Sequence, residues 1–409
     1  MISLVREKYL SRICPFYHNR DIIKVFSGVR RCGKSTLMKQ IIDELRDSGV
    51  SKSDLVYIDL DSKENFSIDT PEELESKIDS MMPHNQSGTY LFLDEIQNVD
   101  GFEPLVNAYR NDGVSVFITG SNSYLLSGEL VTKLTGRYIE FDIGTFSFSE
   151  VRDYCIVNGI EFDRYRELER YLQYGGYPKR FSYADRESQA IYIKNIVDET
   201  VEKDIFLHRK IKDRNQLRKV LDYVLSTPGA EISSTSISNH LRSEHIDILP
   251  NTVNRYLDII FSAKLAMKCQ RFDINGKKWM KTLYKSYVSD LALHTMYQDY
   301  RNNLRKGALI ENLVFNELVS RGFGVSVGKL RDSEVDFVVR QEDKIAYVQV
   351  TYMMESDETR NRETAPLLKI RDAYPKYIIS MDPIRGNIDG IKILHLIDDF
   401  LLGDGFRID

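Results

Sequence analysis

The chain has 409 residues, enough for two to four domains, and its 42% hydrophobic and 29% charged residues are ordinary globular composition. A net charge of −5 excludes a generally polybasic nucleic-acid binder, so any DNA contact has to come from a local patch. Cys14, Cys32, Cys155 and Cys269 form no C-x-x-C pair, which argues against a zinc or disulfide framework and suits a reducing cytoplasm; MISLVREKYL does not read as a signal peptide, and no run approaches the ~18 apolar residues of a membrane span.

The first third alternates short apolar runs with helical stretches. DIIKVFSG, LVYIDLD, TYLFLDE, VSVFITG and YIEFDI are short apolar runs that read as buried parallel strands. STLMKQIIDELRD, after the first run, is helical. This βα alternation predicts a doubly wound parallel α/β sheet over residues 1–145.

Within it, Gly28-Val29-Arg30-Arg31-Cys32-Gly33-Lys34-Ser35 fits G-x-x-x-x-G-K-[ST], between an apolar strand and an amphipathic helix. Glycines let such a loop wrap phosphates, while its N–H groups and the helix N-terminus face negative charge. Gly28, Arg30, Arg31, Cys32, Gly33, Lys34, Ser35 and the following Thr36 are therefore the candidate nucleotide contacts. Lys34 is placed to reach the β- and γ-phosphates of ATP, and Ser35 to ligate Mg²⁺. The bland alternative, a chance glycine turn, does not explain the agreement of strand, loop and helix.

Tyr90-Leu91-Phe92-Leu93-Asp94-Glu95 is an apolar strand ending in two acids. Asp94 suits the Mg²⁺ shell, and Glu95 suits a general base polarising water; a strand-end cap is the plain alternative. The fourth run ends in Ser121 and Asn122, where a side-chain amide orients water against a γ-phosphate or merely forms a turn. Arg137, just before the fifth run, offers positive charge to a transition state in cis or in a neighbouring subunit, or is a surface arginine.

Residues 146–205 read as a helical lid, with Ile191, Ile193, Ile196, Val197, Val201 and Ile205 mostly on one face. Residues 206–300 pattern as three helices (QLRKVLDYVLST, SISNHLRSE, NTVNRYLDIIFSAK) and a hairpin turning at Asn275-Gly276, the outline of a winged helix. Lys264, Lys268, Arg271, Lys277, Lys278, Lys281 and Lys285 are set there against one acid, Asp273, beside the single tryptophan, Trp279. A second basic run holds Arg209, Lys210, Lys212, Arg214, Arg218 and Lys219. Such patches make salt-sensitive phosphate contacts, and Asn251, Asn254 and Arg255 are candidates for a major groove of double-stranded DNA. Packing modules and solvated charge runs look the same in sequence. Residues 301–409 open with the helix GALIENLVFNELVSRG and continue with strands VDFVVR and IAYVQVTY, a small α/β domain.

GVRRCGKS, LFLDEIQ, ITGSNS, LTGRYIEF with FSFSE, GGYP at 175–178, and EVDFVV with VQVTY occur in an order that resembles prokaryotic AAA-type (AAA+) ATPases carrying a C-terminal nuclease-like domain of unknown function. The resemblance spans essentially the whole chain. It implies that Arg137 corresponds to a finger reaching a neighbour's nucleotide in a homo-oligomer, often a hexamer. It implies that GGYP begins the lid, with Lys179 or Arg180 as a second sensor. It also implies that Glu311, Asp336, Gln349 and Thr351 stand where PD-(D/E)xK nucleases keep acids and a lysine. Glutamine is a poor ligand for a hard metal and threonine carries no charge, so nuclease chemistry is expected to be lost. Three functions follow: an ATPase coupled to DNA, a nucleotide-controlled switch acting on a protein partner, or an ATP-regulated nuclease.

Overall fold

The computed structural model describes residues 2–82, 88–120, 134, 136–183, 185–206, 211, 213–295 and 306–408. Its first sheet holds β1 (Ile23–Ser27), β2 (Leu55–Asp59), β3 (Tyr90–Asp94), β4 (Ser115–Thr119) and β5 (Tyr138–Asp142), all parallel, in the order β2-β3-β4-β1-β5. β1, β3 and β4 are buried along their whole length because helices cover both faces. Alternate β1 residues point to opposite sides. Phe26 joins Leu37, Met38 and Ile41 of helix Lys34–Asp47 in one core. Ile23 and Val25 join Leu74, Ile78 and Val106 of helices Pro71–Met81 and Glu103–Asn111 in the other. The parallel α/β core expected from the alternating runs is the one observed.

Three helices follow: Phe148–Val157, Arg164–Tyr174 and Arg186–Glu199. Each starts where an oxygen satisfies free backbone N–H groups. Ser147 and Glu150 form a reciprocal capping box, and Asp163 and Asp185 cap the next two.

Among the described residues the second sheet has nine strands, in the order β13-β14-β12-β11-β10-β9-β7-β8-β6. β6 (Glu231–Ile232), β7 (Ala266–Asp273) and β8 (Lys278–Val288) accompany helices Arg214–Ser226, Ser234–Ser243 and Pro250–Ser262. At the hairpin tip, Asp273 Oδ1 accepts from the N–H groups of Asn275 and Gly276 at 3.1 and 3.0 Å, and Lys277 takes the left-handed conformation (φ +48°). Helix Lys306–Ser320 then leads into β9 (Gly324–Lys329), β10 (Glu334–Gln341) and β11 (Lys344–Val350). Helix Asp357–Leu368, β12 (Lys376–Ser380), β13 (Gly386–Ile388) and β14 (Ile391–His395) complete the order. β7 pairs in parallel with β9, Phe272 opposite Gly328, so hairpin and C-terminal strands share one ladder across residue 300. One apolar core also runs from Phe26 through Ile193 and Leu221 to Phe337 and Phe400.

Candidate nucleotide site

The carboxyl ends of β1, β3 and β4 lie side by side, where an open parallel sheet places its ligand crevice. After β1 the chain turns at Gly28 (φ +145°), where a Cβ would stand 2.1 Å from the Ile143 carbonyl oxygen, so only glycine fits. Gly33 (φ +106°) precedes helix Lys34–Asp47. Lys34 is 6% exposed, and its Nζ donates to the Gly28 carbonyl at 3.0 Å. The lysine thus lies along the loop that its ammonium would share with a phosphate. Gly33, Lys34, Ser35 and Thr36 line a cavity of about 250 Å³ whose other walls are Arg31, Glu95, Pro178, Lys179 and Tyr192.

Asp94 ends β3 at 1% exposure. One carboxylate oxygen accepts from the Tyr57 hydroxyl at 2.8 Å and the other from the Thr119 hydroxyl. Burial and the Asp94 charge both push the Tyr57 phenol far up, so it remains a donor. Glu95 adopts a left-handed backbone (φ +58°), and its N–H donates to Thr119 Oγ1 at 3.0 Å. Its carboxylate, half-buried at the cavity wall, accepts from Gln97 Nε2. Thr119 therefore ties both acids of the β3 end to β4. Ser121 and Asn122, the candidates at the end of that run, lie outside the described residues. The signal present was simpler: Thr119 is the first polar residue after the apolar run.

The remaining candidates divide. Cys32 is fully buried, and burial pushes its thiol up. Arg30 and Arg31 turn to the lid-side helix, with Arg31 2.7 Å and Arg30 3.7 Å from Glu199; only Arg31 also lines the cavity. Arg137 is exposed at the start of β5 and is not brought to the cavity of its own chain. Of the two second-sensor candidates, Lys179 faces the cavity. Arg180, 1% exposed, is occupied by the Gly175 carbonyl at 2.7 Å, Glu167 and Gln189.

One contributor carried no sequence signal. Arg6 is 2% exposed and holds Glu150 through two bonds of 2.8 and 2.9 Å. It also donates to the carbonyls of Cys32, Gly144 and Thr145. A peptide's C=O and N–H point opposite ways. Pinning the Cys32 carbonyl to Arg6 therefore turns the Gly33 N–H away from Arg6, as a phosphate loop requires.

In the second sheet, Asp336 Oδ2 accepts from the Val350 N–H at 2.8 Å, and burial and then Glu311 push its carboxyl well up. Lys285 of β8 lies 3.0 Å from both Glu311 and Glu334, and Gln349 donates to Glu363 at 3.0 Å. Among the described residues no group of three His, Cys, Asp or Glu is placed to hold a metal. The basic hairpin is also partly neutralised. Lys264 pairs with Asp142, Lys268 with Asp258, and Arg271 with Glu231 and Glu334. Lys277, Lys278 and Trp279 remain exposed at the tip, as are Asn251, Asn254 and Arg255 on helix Pro250–Ser262.

Comparison with known proteins fits this geometry. Residues 20–152 match the family model of an AAA domain, and residues 165–303 match a domain of unknown function, which covers the middle of the chain rather than its last hundred residues. An uncharacterized protein of Haemophilus influenzae is 36% identical over 402 residues, 97% of this chain and 98% of its own. One from Methanocaldococcus jannaschii is 30% identical over 368 residues, covering 84% and 79%. A Walker-type ATPase of Pyrococcus abyssi shares the fold with a TM-score of 0.52 at 15% identity, over 72% of this chain and 96% of that one. No described helix is long and apolar enough to cross a membrane. On its P-loop, its β2-β3-β4-β1-β5 sheet, the AAA-domain match and a relative 36% identical over 97% of the chain, the chain belongs to the prokaryotic AAA+-type ATPases.

Proposed function

We propose that the chain binds ATP with Mg²⁺ and hydrolyses it to ADP and phosphate. The observation that carries this is the convergence of Lys34, Ser35, Glu95 and the Thr119-braced Asp94 on the P-loop end of one sheet. The Ser35 hydroxyl and the Asp94 carboxylate, which Tyr57 and Thr119 hold in place, form an oxygen donor set that would suit a hard cation such as Mg²⁺. When bound, Mg²⁺ neutralises charge on the β- and γ-phosphates. Lys34 exchanges the Gly28 carbonyl for those phosphates. Glu95 takes the proton of the attacking water, and Gln97 orients its carboxylate. Arg137, outside its own cavity, serves a neighbouring subunit in a homo-oligomer. Glu95→Gln is expected to bind ATP and turn over less than about one hundredth as fast; near-normal turnover would remove Glu95 as the base.

We assign the chain to a cytoplasmic ATPase core (1–145), helical lid (146–205), winged helix (206–300) and nuclease-like domain (301–409). The last rests on helix–β9–β10–β11–helix–β12, with Lys285 and Gln349 occupying the acid cluster, which speaks against cutting. Coupling to duplex DNA is assigned to Arg255, Lys277 and Lys278, which are exposed on helix Pro250–Ser262 and at the hairpin tip. Replacing all three by Glu should remove any stimulation of turnover by duplex DNA at low salt. A wild type that ignores DNA altogether would favour the second reading, a switch acting on a protein partner.

A further inference from the structure

One wall of the nucleotide cavity is held from the far half of the chain. Pro178 and Lys179 form that wall, and the residues before them, Gly175, Gly176 and Tyr177, are packed too closely for side chains at the glycines. A Cβ on Gly175 (φ +64°) would stand 1.6 Å from Asp290 Oδ1, and one on Gly176 would stand 2.0 Å from the Phe146 carbonyl oxygen. Asp290 follows β8 by two residues and is 2% exposed. Its Oδ2 accepts from the Gly176 N–H at 2.8 Å and from the Thr145 hydroxyl at 2.5 Å. Its Oδ1 accepts from the Ala292 N–H at 2.9 Å. Capping residues 292–295 therefore uses one oxygen, and the other is committed to the cavity wall and the end of the ATPase sheet. Gly176 in turn accepts from the Phe146 N–H at 2.8 Å, Arg180 grips the Gly175 carbonyl, and Tyr177 is fully buried.

We propose that Asp290 is a positioning residue for the nucleotide pocket: its carboxylate sets the Gly175–Lys179 segment, and through it Pro178 and Lys179, against the bound nucleotide. The inference rests on reading this cavity as the ATP site. Asp94 and Glu95 stand at the end of β3, Lys34 opens the helix after β1, and none of them bonds Asp290, so the effect belongs to binding rather than to chemistry. Asp290→Asn turns an amide donor toward either Gly176 or Ala292, where an acceptor is needed. Thr145→Val removes one donor to Oδ2 and leaves the cap to Ala292 intact.

The test measures ATP turnover across ATP concentrations in the full chain, together with amide hydrogen exchange of residues 175–179 without nucleotide. Loss of a charge-assisted bond should raise KM about tenfold in Asp290→Asn, and less in Thr145→Val, with kcat within about threefold of wild type. Exchange at 175–179 should quicken in both. A fall in kcat at unchanged KM, or unchanged exchange in Asp290→Asn, would overturn the proposal. A wild type that binds no ATP would sink the nucleotide reading instead, and the exchange result would still decide whether Asp290 sets the segment.

Discussion

At the scale of single residues, the site is governed by buried polar groups that have found partners. Asp94 and Glu95 share Thr119, and Lys34 lies on the Gly28 carbonyl. Lys24 of β1 is a different case. Its Nζ reaches the carbonyls of Asn19 and Ile22 and the Ser115 hydroxyl, above the Phe117 ring, and no carboxylate is among these contacts. Burial first, then Arg20, lowers its pKa from 10.5 to about 7. Because the folded value is the lower one, the unfolded chain binds more protons between those limits, and stability rises with pH across that window. Raising the pH from 7 to 9 should add up to about 2 kcal/mol from this group. Thermal unfolding of Lys24→Met should lack that gain. An equal gain in the variant would show that Lys24 is charged when folded, held by its three acceptors.

At the scale of elements, what the sequence made legible was local. Each strand of the first sheet is a five-residue, mostly apolar run, and the P-loop, its strand and its helix are contiguous. The three helices and hairpin of 214–288 announce themselves by period and by Asn275-Gly276. Arg6 was illegible because its partners, Cys32, Gly144 and Glu150, are brought to it only by folding. Asp290 was hidden for the same reason, and β7 gives no sign of β9, more than fifty residues on. The basic character of 264–285 was visible, but its pairing with acids from β5, β6, β10 and helices Pro250–Ser262 and Lys306–Ser320 was not. Arg6→Met leaves Glu150 buried and unpaired, and should cost about 3–5 kcal/mol in denaturant unfolding. Adding Glu150→Met should recover part of that stability but not nucleotide affinity, since the Cys32 carbonyl is no longer pinned. Recovery of both would mean that Arg6 serves the fold alone.

At the scale of the molecule, the nine-stranded sheet and the core running from Phe26 to Phe400 join the ATPase sheet to the C-terminal strands. Lys264 bonds Asp142 at 2.8 Å, and Asp290 holds the wall of the cavity, so β7 and β8 each contact the nucleotide half at their base. Arg137 is the candidate that a single chain does not use. The expected activity is therefore a Mg²⁺-dependent hydrolysis that requires Lys34 and strengthens as chains associate. The most direct measurement is phosphate release per chain from ATP and Mg²⁺, across a range of protein concentrations, for the wild type beside Lys34→Ala. Turnover in the wild type should rise with concentration and be absent from Lys34→Ala. Equal release from both proteins, or none from a folded wild type at any concentration, would contradict it.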